Sequence, residues 1–274
     1  MSISASTPLC ALVTLTIAAG AFSPLAAAPA QAEVTLTPHQ AVYRMTLDKA
    51  RDDSIVGADG YLSYRMAESC SGWTTNMVNT VVLSFADGRA VEREWILEAE
   101  ETRENGVYSF FTRDIYDGDE IKRVEGTALM QPDGSGTVSF AQPDDMEDQT
   151  LPVGTLFPNA HSLALLKAAV EGKVFASEMV YDGGEDGAVP VVASIGKRVE
   201  ADMPGELDDP LLKTPSWPMS LAFFDPTSDD ATPTYEVRLR YHENGVAQNM
   251  LQDFGSFSLR SELLEIEVLE VPEC

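Results

Sequence analysis

The sequence predicts a mainly β fold, an antiparallel meander of many strands with one or two short helices packed on it. Three observations carry this reading. Apolar and polar residues alternate with period two in several segments, so each fits a strand with one dry and one wet face. Turn pairs recur between them: Asp-Gly occurs six times and Asn-Gly twice, and both tolerate the positive φ of tight hairpins. Only one stretch has clear helical spacing, so the strands cannot be joined by crossover helices into a parallel sheet.

The elements follow in order. Tyr43, Met45 and Leu47 alternate with Arg44, Thr46 and Asp48, and Leu62, Tyr64 and Met66 with Ser63 and Arg65. Strand-like runs continue at 73–85, 91–98, 107–116, 121–130 and 136–142. A helix is predicted over 160–171, capped by Asn159 and ended by Gly172. Leu163, Leu166 and Val170 share one face of it, with Leu165 and Ala169 beside them. Strands resume at 174–181 and 191–199; a short second helix within 211–221 is limited by Pro215 and Pro218. Tyr235, Val237, Leu239 and Tyr241 open the clearest hairpin, which turns at Asn244-Gly245 and returns over 246–253. Runs at 256–259 and 264–270 complete the set. Acidic, Pro-rich stretches at 142–148, 182–187, 202–210 and 225–233 read as exposed loops. No linker divides the chain, so residues 33–274 are expected to form one domain.

The chain has 274 residues and a net charge of −26, which disfavours nucleic acid and anionic membrane surfaces as partners. Residues 1–32 carry none of that charge. An apolar run at 9–19 is followed by Pro24, Pro29 and the small-residue site Ala30-Gln31-Ala32. This reads as a signal peptide cleaved after Ala32, although its first residues lack Lys and Arg. Gly20, Ser23 and Pro24 interrupt the run before the ~20 residues a membrane span needs. Cleavage would remove Cys10 and leave Cys70 and Cys274. Two cysteines in an exported chain point to one disulfide, the alternative being two buried free thiols.

The residues point to no catalytic constellation. His39, His161 and His242 sit in dissimilar contexts, and with both cysteines in a bridge a zinc site is not expected. Neither a Gly-x-Ser-x-Gly elbow nor a phosphate-binding loop is present. Carboxylate pairs such as Asp52-Asp53 and Asp144-Asp145 are too common among 44 acids to mark acid–base chemistry. Calcium is the more physical suspicion for loops 182–187 and 144–148, but neither has EF-hand spacing, and solvated turns are preferred. No metal or cofactor is therefore expected. The candidate ligand or helix-cleft residues are His161, Leu163 and Trp217. His161 reads either as a group at a cleft or, by preference, as a polar residue on the helix face. Trp73, Trp95 and Trp217 are able to stack on sugar rings, but Trp95 alternates within a strand and is expected in the core.

Five passages together resemble a family of alphaproteobacterial periplasmic proteins, the cell envelope integrity protein EipB family, formerly a domain of unknown function. They are His39-Gln40-Ala41-Val42-Tyr43; Glu68-Ser69-Cys70-Ser71-Gly72-Trp73; Leu151-Pro152-Val153-Gly154-Thr155-Leu156-Phe157-Pro158-Asn159-Ala160-His161; Pro215-Ser216-Trp217-Pro218-Met219; and Asn244-Gly245-Val246 through Asp253-Phe254-Gly255 to the terminal cysteine. The resemblance implies a sheet curled into a β-spiral or open barrel, a Cys70–Cys274 disulfide and a periplasmic location. It also implies a role in maintaining the envelope without assigned catalytic residues.

Three functions are weighed on that basis. The first is a non-enzymatic, monomeric protein that binds an envelope protein or component. The second is a carrier of a lipid or other hydrophobic ligand in a half-barrel cavity, with Met45, Met66, Met77 and Leu163 as lining. The third, least favoured, is a hydrolase of envelope polymers.

Overall fold

In the computed structural model, residues 34–51, 54–201, 207–228 and 230–274 are described. The expected signal peptide and the pair Asp52-Asp53 lie outside the described residues, as does part of the loop at 202–210.

Period-two alternation becomes a long antiparallel ladder. The strands are β1 (His39–Ala50), β2 (Ile55–Glu68), β3 (Gly72–Phe85), β4 (Ala90–Thr102), β5 (Val107–Tyr116), β6 (Asp119–Met130), β7 (Gly136–Gln142) and β8 (Gln149–Leu151). Helix α1 (Pro158–Val170) follows, then β9 (Phe175–Val180), β10 (Val189–Ile195), β11 (Ser216–Phe223), β12 (Tyr235–His242), β13 (Ala247–Asp253) and β14 (Phe257–Val268). All fourteen strands form one sheet. Its spatial order is β8 to β1 in descending sequence, then β14 down to β9. The first and last strands therefore pair at the centre, and two meandering arms spread from them. Helix α1 carries the chain from the β8 edge to the β9 edge.

The sheet does not close into a continuous ladder, but the two edges are stitched at one point. Leu156 makes a parallel bridge to Val180: its N–H donates to the Met179 carbonyl (2.8 Å), and its carbonyl accepts from the Tyr181 N–H (3.0 Å). The Asn105 side chain holds the other side of the same segment, donating to the Thr155 carbonyl and accepting from the Phe157 N–H.

Three apolar clusters fill the curl. One wraps α1 with Met66, Trp73, Val191, Ile195, Trp217 and Met219. A second is aromatic: Tyr108 stacks on Phe157 at 5.2 Å between centroids and meets Phe110 and Tyr181. A third joins Tyr43, Met45, Leu62, Val81 and Leu259.

Several expectations are corrected. Asp59-Gly60 lies inside β2 instead of at a turn. A Cβ at Gly60 would stand 2.1 Å from the Thr80 carbonyl oxygen, so glycine is needed there for the close approach of β3. The second helix is absent: a 3-10 turn at Pro210–Leu212 precedes strand β11. Trp217, Met219 and Leu221 alternate inward along β11, while exposed Pro218 interrupts only the donor side of the ladder. The runs at 256–259 and 264–270 are one strand, β14. Trp95 is 37% exposed, not core. It points to the same face as buried Leu97 and Ala99, but its cross-strand partners are the polar Asn79 and Asp114, and among the described residues nothing covers it.

Cys70 and Cys274 are bonded, with Cα atoms 5.6 Å apart and a sequence separation of 204. The bond ties the tail beyond β14 to the β2–β3 turn. Chain entropy assigns such a loop roughly 5 kcal/mol. In non-reducing buffer, Cys70→Ser is expected to lower Tm by about 10 °C or more, at ~2–4 °C per kcal/mol for a chain this size. Scanning calorimetry would check this; an unchanged Tm would mean the sheet alone fixes the tail.

Candidate functional site at the two ends of helix α1

Helix α1 starts without a cap of its own. Its N-cap residue is the buried Phe157, whose side chain accepts nothing, and Pro158 occupies the first turn. Asn159 is thus not the cap; it lies inside the helix. The cap arrives from β4. The Glu101 carboxylate accepts from the N–H of Asn159 (2.8 Å) and of Ala160 (2.7 Å). Glu101 is 3% exposed, and burial raises its pKa against the opposing pull of those two amides. The carboxylate satisfies orphan donors and faces the positive end of the helix dipole.

His161, read from the sequence as a polar residue on the helix face, is 6% exposed. The reason is that α1 is covered on nearly every side by the curled sheet. Its ring makes no hydrogen bond among the described residues, and burial lowers its pKa from 6.5 to about 4. Leu163 is half-buried against the cluster around α1. Tyr241, on β12, packs against the same cluster.

The C-terminal end is a Schellman closure. Gly172, at φ +77°, donates to the Ala169 carbonyl, and Lys173 donates to that of Ala168. Beyond it opens a cleft of about 610 Å³ between α1 and the end of β10. Ala169, Ile195 and Trp217 form its floor, with Val170 and Val174 as walls. Lys173, Lys197, Arg198 and Glu243 complete the lining. Lys173 pairs with Glu171 at 2.9 Å and Arg198 with Glu200 at 3.3 Å. Lys197 has neither ion pair nor hydrogen bond among the described residues.

The fold therefore places His161 and Leu163 on the helix and Trp217 at the cleft, on one continuous core but at different ends. Glu101 was missed. Its signal was its place on the inward parity of β4, two residues after Ala99. Lys197-Arg198 was visible as adjacent cations after an apolar run, but nothing in the sequence joined it to Trp217. His39 and His242 are buried in separate networks, with Thr37 and with Thr214 and Gln248. Among the described residues no group of metal-ligating side chains converges, and no helix is long and apolar enough to cross a membrane.

A family model described as EipB-like matches residues 30–270. The chain belongs to the EipB-like family. The cell envelope integrity protein EipB of Brucella abortus (strain 2308) is 28% identical over 253 residues, covering 89% of this chain and 88% of that protein. A solved structure agrees with this placement in the EipB-like family. It is the crystal structure of a beta-barrel-like protein of a domain of unknown function from Brucella abortus. It matches with a TM-score of 0.78 at 26% identity, covering 86% of this chain and 100% of that one. The open, barrel-like curl is thus common to both.

Two outcomes test the site. Glu101→Ala leaves two buried amides unpaired and is expected to cost about 3 kcal/mol, with faster hydrogen exchange at Asn159 and Ala160. Protected amides at both positions would show another cap. For His161, the folded pKa lies below the unfolded one, so its contribution is whole above about pH 6.5 and is lost as pH falls towards 4. The loss reaches about 3 kcal/mol. His161→Leu should remove about one proton from the acid limb of a stability–pH curve; an unaltered slope would contradict neutral burial.

Proposed function

We propose that this chain is an exported, periplasmic protein that supports the integrity of the cell envelope by binding another envelope component, without catalysis, at the cleft beyond α1. The observation that carries the reading is the cleft itself: an apolar floor with a cationic rim on a chain of net charge −26. Membership of the EipB-like family supports the envelope role, since the Brucella relative carries that name. The uncharged segment at 1–32 supports export, with residues 33–274 as a single working domain. Monomeric action accords with a charge that repels a second copy.

A carrier with cargo inside the curl has less support. Met45 and Met66 are fully buried core, Met77 and Leu163 are packed beside it, and α1 occupies the concave face.

Deletion of the gene in its native cells is expected to sensitise them to detergents and cell-wall antibiotics, and the wild-type gene should restore resistance. Val174→Asp, at a 72% exposed wall position, should fold normally yet fail to restore it. The secreted product should begin at Glu33. Unchanged resistance after deletion would overturn the envelope role; full rescue by Val174→Asp would move the site elsewhere.

A further inference from the structure

We propose that the cleft beyond α1 takes a single-chain amphiphile with an anionic headgroup, its chain on the Ala169, Ile195 and Trp217 floor and its head beside Lys197. The proposal rests on the reading of this cleft as the binding site.

Charge comes first. The whole chain has 18 basic against 44 acidic residues, yet the cleft is lined by three cations and one carboxylate. Lys173 and Arg198 are partly neutralised by exposed partners, Glu171 and Glu200. Lys197 is solvent-exposed and uncommitted among the described residues. It is the natural seat for a carboxylate or phosphate. The helix end offers an anion nothing here, because it presents carbonyls and the Gly172 and Lys173 amides are already spent on them.

A small free anion would be held weakly. The surrounding field is negative, and one exposed lysine gains little in water. The apolar surface supplies what the charge lacks. Val174 stands 72% exposed as the outer wall. Each methylene fully buried against such a surface adds up to about fourfold in affinity. The volume of about 610 Å³ sits inside the range of small-ligand sites, roughly 300–1,000 Å³. It has room for one acyl chain.

The test is calorimetric titration of the purified secreted chain, below micelle-forming concentrations, with four probes. They are laurate, lauroyl lysophosphatidylglycerol, dodecyltrimethylammonium and inorganic phosphate. Saturable 1:1 binding of either anionic amphiphile is expected, and the stronger of the two separates a free fatty acid from a lysolipid as the source. Dodecyltrimethylammonium should bind at least about tenfold more weakly, and phosphate not measurably. The pair Lys197→Glu and Arg198→Glu, both at exposed positions, should weaken laurate about tenfold, with an unchanged melting curve. Val174→Asp should weaken it too. Equal affinity for the cationic and anionic probes, or a charge reversal without effect, would overturn the proposal. If Val174→Asp abolished rescue in cells while no anionic probe bound, the ligand class would fall and the cleft would stand as the site.

Discussion

One buried carboxylate organises the interior. Ionised Glu101 costs several kcal/mol to bury, and two charge-assisted amide bonds of about 1.5–3 kcal/mol each, with the helix dipole, roughly offset it. The net stabilisation is small, and its raised pKa agrees with desolvation having the upper hand. What the interaction fixes is position. A helix whose first turn is held by β4 has one entry point and one direction, so its C-terminal end is delivered beside β10 and the cleft forms there. Asn105 anchors the approach to the same helix from the β4–β5 turn. The start of α1 is thus set by residues more than fifty positions earlier in the chain.

Much of this architecture was legible locally. Period-two alternation and turn pairs such as Asp117-Gly118 and Asn244-Gly245 depend on near neighbours, and the sheet followed. Gly172 marked the end of α1 for the same reason. What failed needed distant partners. Asn159 has cap chemistry, but a Glu from another strand took the role. Pro215 and Pro218 limit a helix within 211–221, but a strand there becomes legible only once the neighbours of β11 are known. Trp95 has the right parity for the core, yet among the described residues nothing covers it. The meeting of Trp217 with Lys197 comes from the pairing of β10 with β11, which alternation within either strand does not encode.

The acidic surplus has a mostly solvated setting. Pairs such as Arg44–Asp59 and Arg89–Asp87 are exposed and contribute little each. Their more general effect is colloidal: a sheet with open edges at β8 and β9 is protected from edge pairing with another copy by mutual repulsion. Against that background an exposed lysine without an ion pair among the described residues, Lys197 over an apolar floor, is the exception.

The pairing of β1 with β14 bears on how the molecule is made. The centre of the sheet waits for the last strand to be synthesised, while the two arms are locally connected and free to form earlier. An emerging chain therefore has no complete core to protect it, and its half-built sheet offers β1 as an open template. By the same logic, truncations that remove the last strand should cost far more than their length suggests.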